Sequence, residues 1–103
     1  MTKRRKKMNK YELALVLSAK VEDDQRAALL ERVKEYITRF GGQISDIDEW
    51  GKRQLAYEIQ KMREGFYYFI HFESASNAPS QIEENLRIMD GVLRFLCIRM
   101  DEA

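Results

Sequence analysis

One cysteine, Cys97, one proline, Pro79, and one histidine, His71, are all that this 103-residue chain holds of those three residue types. A lone thiol closes no intrachain disulfide, so the fold must rest on its core, as suits a reducing compartment. His71 has no Cys or carboxylate at metal-ligand spacing and is expected in a structural or surface role. Cys97 lies in an apolar stretch and is expected to pack as a small core residue. No apolar run approaches the roughly 18 residues of a membrane span. The short run Leu13 to Leu17 leads into Ser-Ala-Lys and then acids, which is no signal-peptide core. No glycine-rich loop opens a helix. The loop SAKVEDD, where phosphate chemistry would need one, is acidic and repels phosphate. Neither enzyme chemistry nor a cofactor is expected.

What is present is charge and apolar patterning. Charged residues make up 34% and hydrophobic ones 45%, above the charge of an average soluble domain and enough apolar content for one core. The net charge of +1 hides an asymmetry: Lys3, Arg4, Arg5, Lys6 and Lys7 hold five of the 18 basic residues. The rest of the chain then has 13 basic against 17 acidic residues, a net of −4. Residues 1–8 are expected to form a flexible basic arm, and 9–103 a single mildly acidic domain. A local basic arm or patch suffices to recruit a polyanion.

Periodicity orders the elements. Tyr11, Leu13, Leu15 and Leu17 alternate with Glu12, Ala14 and Val16, which predicts a strand. Leu29, Leu30, Val33, Ile37 and Phe40 recur at helical spacing, with Asp23 or Asp24 as cap and Gly41-Gly42 as stop. QISDIDEW reads as a polar edge strand whose Asp46, Asp48 and Glu49 discourage edge pairing. Gly51 interrupts it before QLAYEIQK resumes, so one long strand bent at Gly51 is possible. MREG is expected to turn, and GFYYFIHFE is a strand rich in aromatics. A second helix begins near Ser76 or Asn77, with Pro79 in its first turn and Ile82, Leu86 and Met89 on one face, and is expected to end at Gly91. VLRFLCIRM is the last strand.

The order is βαββαβ. Two crossover helices then lie on one face of a four-stranded antiparallel sheet, the α+β ferredoxin-like arrangement. The other face stays open. Alternation places Val16, Tyr67, Phe69, Leu96 and Ile98 there, an apolar patch suited to a binding partner. The same order serves RNA-recognition modules that stack bases on sheet aromatics. Their third-strand pattern fits poorly, since Glu64 stands where a base is wanted and Tyr67 where a small residue is wanted. A small-molecule regulatory module that pairs sheet edge to sheet edge is a second alternative, which a stable homodimer with ligand-dependent melting would mark.

GKRQLAYEIQK, from Gly51 to Lys61, resembles the signature of the family of the sixth protein of the bacterial small ribosomal subunit. Gly51, Lys52, Arg53, Leu55, Ala56, Tyr57, Ile59 and Lys61 all fit that pattern. NKYELALVL and IMDGVLRFLCIRM are similar to the family's opening and closing strands, so the likeness runs from about Met8 to the end. Glu58 departs from it, standing where many members carry Pro. The resemblance implies a structural ribosomal protein of ferredoxin-like fold in the cytoplasm. It implies binding to the central domain of small-subunit ribosomal RNA as a heterodimer with the eighteenth protein, after the fifteenth has prepared the site. By position it makes Lys10, Lys52, Arg53 and Arg94 the expected phosphate contacts. Leu55 and Tyr57 are expected to fix packing rather than touch RNA.

Overall fold

Alternating leucines build the centre of the sheet. In the computed structural model, which describes residues 8–59 and 62–100, Leu13, Leu15 and Leu17 of strand β1 (Asn9–Ser18) are fully buried on one face. Helix α1 follows at Asp23–Arg39, then β2 at Gln43–Ile59 and β3 at Met62–Ser74. Helix α2 spans Ala78–Arg87, and β4 spans Val92–Arg99. The sheet order is β2-β3-β1-β4 with every neighbour antiparallel, which is the expected ferredoxin-like topology.

The helices cover one face. Leu30, Val33 and Ile37 of α1 and Ile82 and Leu86 of α2 bury against Leu13, Leu15, Leu17, Ile70 and Phe72. Each such side chain contributes about 1.5–3 kcal/mol relative to exposure. Tyr11 stacks on Phe72 with ring centroids 5.5 Å apart. Phe95 and Cys97 pack partly against the same core.

Helix starts differ from expectation. Glu22, not Asp23 or Asp24, occupies the N-cap of α1, and no side chain caps it. Asp23 lies inside the helix and is committed to Arg26 at 2.7 Å, while Asp24 accepts the Gln25 N–H at 2.8 Å. Both acids still favour the positive end of the helix dipole. Asn77 caps α2 without a side-chain bond, and Pro79 sits in the first turn as expected. That helix closes at Arg87, ahead of Gly91, which instead takes φ +95° in the turn into β4.

The β2–β3 hairpin differs most. Met62 to Gly65, expected as a turn, belong to β3, and Ile59 pairs with Met62. Gly65 is buried between strands rather than turning. A Cβ there would meet Val16 Cγ1 at 2.6 Å and the Leu17 carbonyl at 3.1 Å. β2 does run unbroken through Gly51, where φ is +80° and the register slips between Glu49 and Gly51. This left-handed backbone suits glycine, and the extra residue at the bulge is Trp50. Lys61 of the family-like run lies outside the described residues, as do residues 1–7.

Candidate functional site

The face away from the helices carries the even residues of β1 and β4 and the odd residues of β3, as alternation requires. Tyr67 and Phe69 lie there partly covered, and Leu96 and Ile98 are 50% and 45% exposed. Val16, expected among the exposed apolar groups, is a correction: it is only 6% exposed. Its cover comes from the end of the β2–β3 hairpin. Leu55 and Tyr57 reach over the sheet and line, with Ala14, Val16, Tyr67, Phe69 and Arg94, a half-open pocket of about 210 Å³. Glycine at position 65 is what lets Val16 and Leu55 close on the backbone.

Aromatic and cationic groups are paired across this face. Trp50, pushed out by the bulge, packs against Phe69 with centroids 4.7 Å apart, and its indole N–H donates to Asp48 at 3.0 Å. The Arg53 guanidinium lies 5.8 Å from the Trp50 ring. Arg94 lies 5.7 Å from the Tyr57 ring and also donates to the Tyr57 hydroxyl. Tyr57 is 58% exposed, so its packing role is that of a roof rather than a core group.

The four basic residues expected to meet phosphate do not form one patch. Arg53 and Arg94 stand toward the hairpin end of the open face. Lys10 is on the same face but six residues along β1 from Val16, the register partner of Arg94, a span of about 20 Å. Lys52 turns to the opposite side of β2, with its ammonium 3.9 Å from Glu64. β2 is an edge strand, and both Lys52 and Arg53 are exposed on it.

Sequence reasoning missed a cluster at the other end of the face. The His71 ring bonds Glu12 through Nε2 and Asp46 through Nδ1, each at 3.0 Å. Three strands are thereby joined side by side, since Glu12 and Asp46 are the register partners of His71 on β1 and β2. Burial pulls the histidine pKa down, but the hydrogen bond to Glu12 and the charge of Asp46 outweigh it, so the net shift is upward. Two carboxylate partners require both ring nitrogens to donate, which is the imidazolium form. The partners lie 59 and 25 residues away in sequence, beyond any local pattern. Among the described residues no cluster has the makings of a metal site. Cys97 is no nucleophile: burial first, then the negative charge of Glu83, pushes its thiol up to about 12.

Comparison with known proteins decides the family. The model of Ribosomal protein S6 matches residues 10–99. The chain belongs to the Ribosomal protein S6 family. Small ribosomal subunit protein bS6 of Caldanaerobacter subterraneus subsp. tengcongensis is 46% identical over 95 residues, covering 92% of this chain and all of that one. The bS6 of Thermoanaerobacter pseudethanolicus is 45% identical over the same spans. The crystal structure of 30S ribosomal protein S6 from Thermotoga maritima superposes with a TM-score of 0.87 at 30% identity, covering 91% of this chain and 89% of that one. This S6-family chain is therefore a ribosome-associated protein of the small subunit and not an enzyme. No described helix is long and apolar enough to cross a membrane.

Proposed function

We propose that this chain binds the central domain of small-subunit ribosomal RNA in the cytoplasm, as a heterodimer with the eighteenth small-subunit protein, on RNA already organised by the fifteenth. The family match over residues 10–99, which includes the basic pair after Gly51, carries the reading. The physical layout supports it. A body of net −4 outside the arm does not hold to RNA by bulk charge, so it needs either focused cations or a protein partner. Arg53 and Arg94, each set against an aromatic ring, are candidate focused cations, with Lys52 on the β2 edge and Lys10 at the far end. Val16, Tyr67, Phe69, Leu96 and Ile98 are the apolar surface offered to the partner, with Val16 acting as the floor of the cavity rather than as a contact in its own right.

A gel-shift titration tests this. The protein is mixed with a central-domain RNA fragment bound by the fifteenth protein, with and without the eighteenth. A shift that requires the eighteenth protein is expected. No shift in either mixture, together with a monodisperse homodimer in solution, would replace this reading with a regulatory module.

A further inference from the structure

The end of the β2–β3 hairpin is attached to the domain by little else than its own side chains. Pairing of β3 with β1 ends at Ser18/Gly65, so Met62–Glu64 have only β2 beside them. Between Gln54/Glu64 and Ile59/Met62, β2 runs through residues 55–58 where β3 has Arg63 alone. A bulge of this kind bends the strand, and here it falls where Leu55 and Tyr57 reach over the sheet. Among the described residues, the apolar core takes none from 51–65. A two-stranded ribbon with no core of its own is marginal in water.

What fastens it is a contact on the open face. The Arg94 guanidinium donates to the Tyr57 hydroxyl and lies 5.7 Å from the ring centroid. Arg94 comes from β4 and Tyr57 from β2, the two outer strands of the sheet, so the pair spans β3 and β1 between them. Val16 and Phe69 line the pocket beneath, and Val16 is buried although the contact above it is exposed. The same guanidinium is a candidate phosphate contact. A bond from Arg to phosphate joins opposite charges and outweighs one to a neutral phenol, so the two partners compete for it.

We propose that the Tyr57–Arg94 pair is a latch: it holds the hairpin end against the sheet in the unbound protein, and capture of an RNA phosphate by Arg94 releases it. Release frees the aromatic ribbon end and uncovers Val16 and Phe69 in one step. The closed state therefore lowers apparent RNA affinity by the fraction of molecules in which Arg94 is engaged. The inference rests on the RNA-binding reading for what opens the latch, though not for the latch itself.

Two measurements test it. The first is NMR relaxation of methyl groups by a soluble gadolinium chelate on the free full-length chain, read as the ratio of Val16 to the core residue Leu13. Arg94→Met, which keeps the stem and loses the donors, is expected to raise that ratio at least about threefold, and Tyr57→Phe by a smaller factor. A ratio unchanged in Arg94→Met overturns the latch. The second is association of the heterodimer with the central-domain RNA fragment bound by the fifteenth protein. Tyr57→Phe leaves Arg94 intact but less engaged, and is expected to bind about two- to fivefold more tightly than the parent. Unchanged or weaker binding overturns the competition and the proposal with it. A parent heterodimer that binds no RNA overturns the RNA-binding reading and phosphate release together, while the Val16 to Leu13 ratio still decides whether Tyr57 and Arg94 hold the hairpin down.

Discussion

His71 shows how one residue ties the sheet together in a way no linear pattern reveals. Its ring takes Glu12 on one side and Asp46 on the other, so the edge strand β2 is fastened across β3 to β1 by charge as well as by backbone bonds. The folded pKa lies above the ordinary 6.5 despite the opposing effect of burial, because the Glu12 hydrogen bond and the Asp46 charge favour the protonated ring. A raised pKa means the folded state holds the proton more tightly than the unfolded chain. The stabilisation is therefore complete below pH 6.5 and fades as pH climbs through the folded-state value. Urea midpoints of the parent are expected to fall across that window, while those of His71→Gln, which cannot be charged, stay flatter. A parent profile as flat as the variant's would mean that the ring is not held as an imidazolium. Period two placed His71 on the open face, but its partners came from two other strands, and only the register brings them together.

At the scale of elements, the junction between α1 and β2 leaves no room for a side chain. A Cβ on Gly42 would sit 2.6 Å from Ile37 Cγ2, 2.8 Å from the Ile37 carbonyl and 3.3 Å from the Phe72 ring. Ile37 and Phe72 are core residues and the carbonyl is backbone, so nothing nearby yields cheaply. Gly42→Ala is expected to destabilise the domain by about 1–3 kcal/mol, the range of overpacked cores. Gly41→Ala meets no neighbour but must hold φ +90°, a strain of about 1–3 kcal/mol from backbone alone. Equilibrium denaturation of the two variants checks this, and a Gly42→Ala midpoint equal to the parent's would show that the junction can open without loss. Sequence marked Gly41-Gly42 as a helix stop, and it marked the faces of β1, β3 and β4 through alternation alone. It failed where glycine does something other than turn. Gly65 suggested a turn at MREG, yet it serves close packing under Val16 and Leu55, and the preceding residues continue β3. The curl of the hairpin over the open face follows from contacts between distant strands, so the burial of Val16 and the Tyr57–Arg94 pairing had no local signature.

For the molecule as a whole, charge distribution would govern the RNA contact proposed above. The sequence outside residues 1–7 is net acidic, so any grip on RNA depends on where its cations sit. If Lys10, Lys52, Arg53 and Arg94 each neutralise one phosphate, the logarithm of the RNA association constant should fall against log salt with a slope near −3 to −4, at about 0.7–0.9 per contact. Arg53→Glu should weaken binding and reduce that slope by about one contact's worth. Its folding should be intact, because the side chain is exposed beside Trp50. Removing residues 1–7 separates the arm from the domain. Five arm cations in full contact would contribute about 4 to the slope, more than the open-face residues together. Filter-binding isotherms of the heterodimer between 50 and 200 mM salt, on parent, Arg53→Glu and arm-deleted protein, distinguish the two sources. A slope that collapses on arm deletion and ignores Arg53→Glu would assign the RNA grip to Lys3–Lys7 and leave Arg53 as a solvated strand residue. A slope that responds to Arg53→Glu and not to arm deletion would place the grip on the folded sheet, with Arg53 among its contacts.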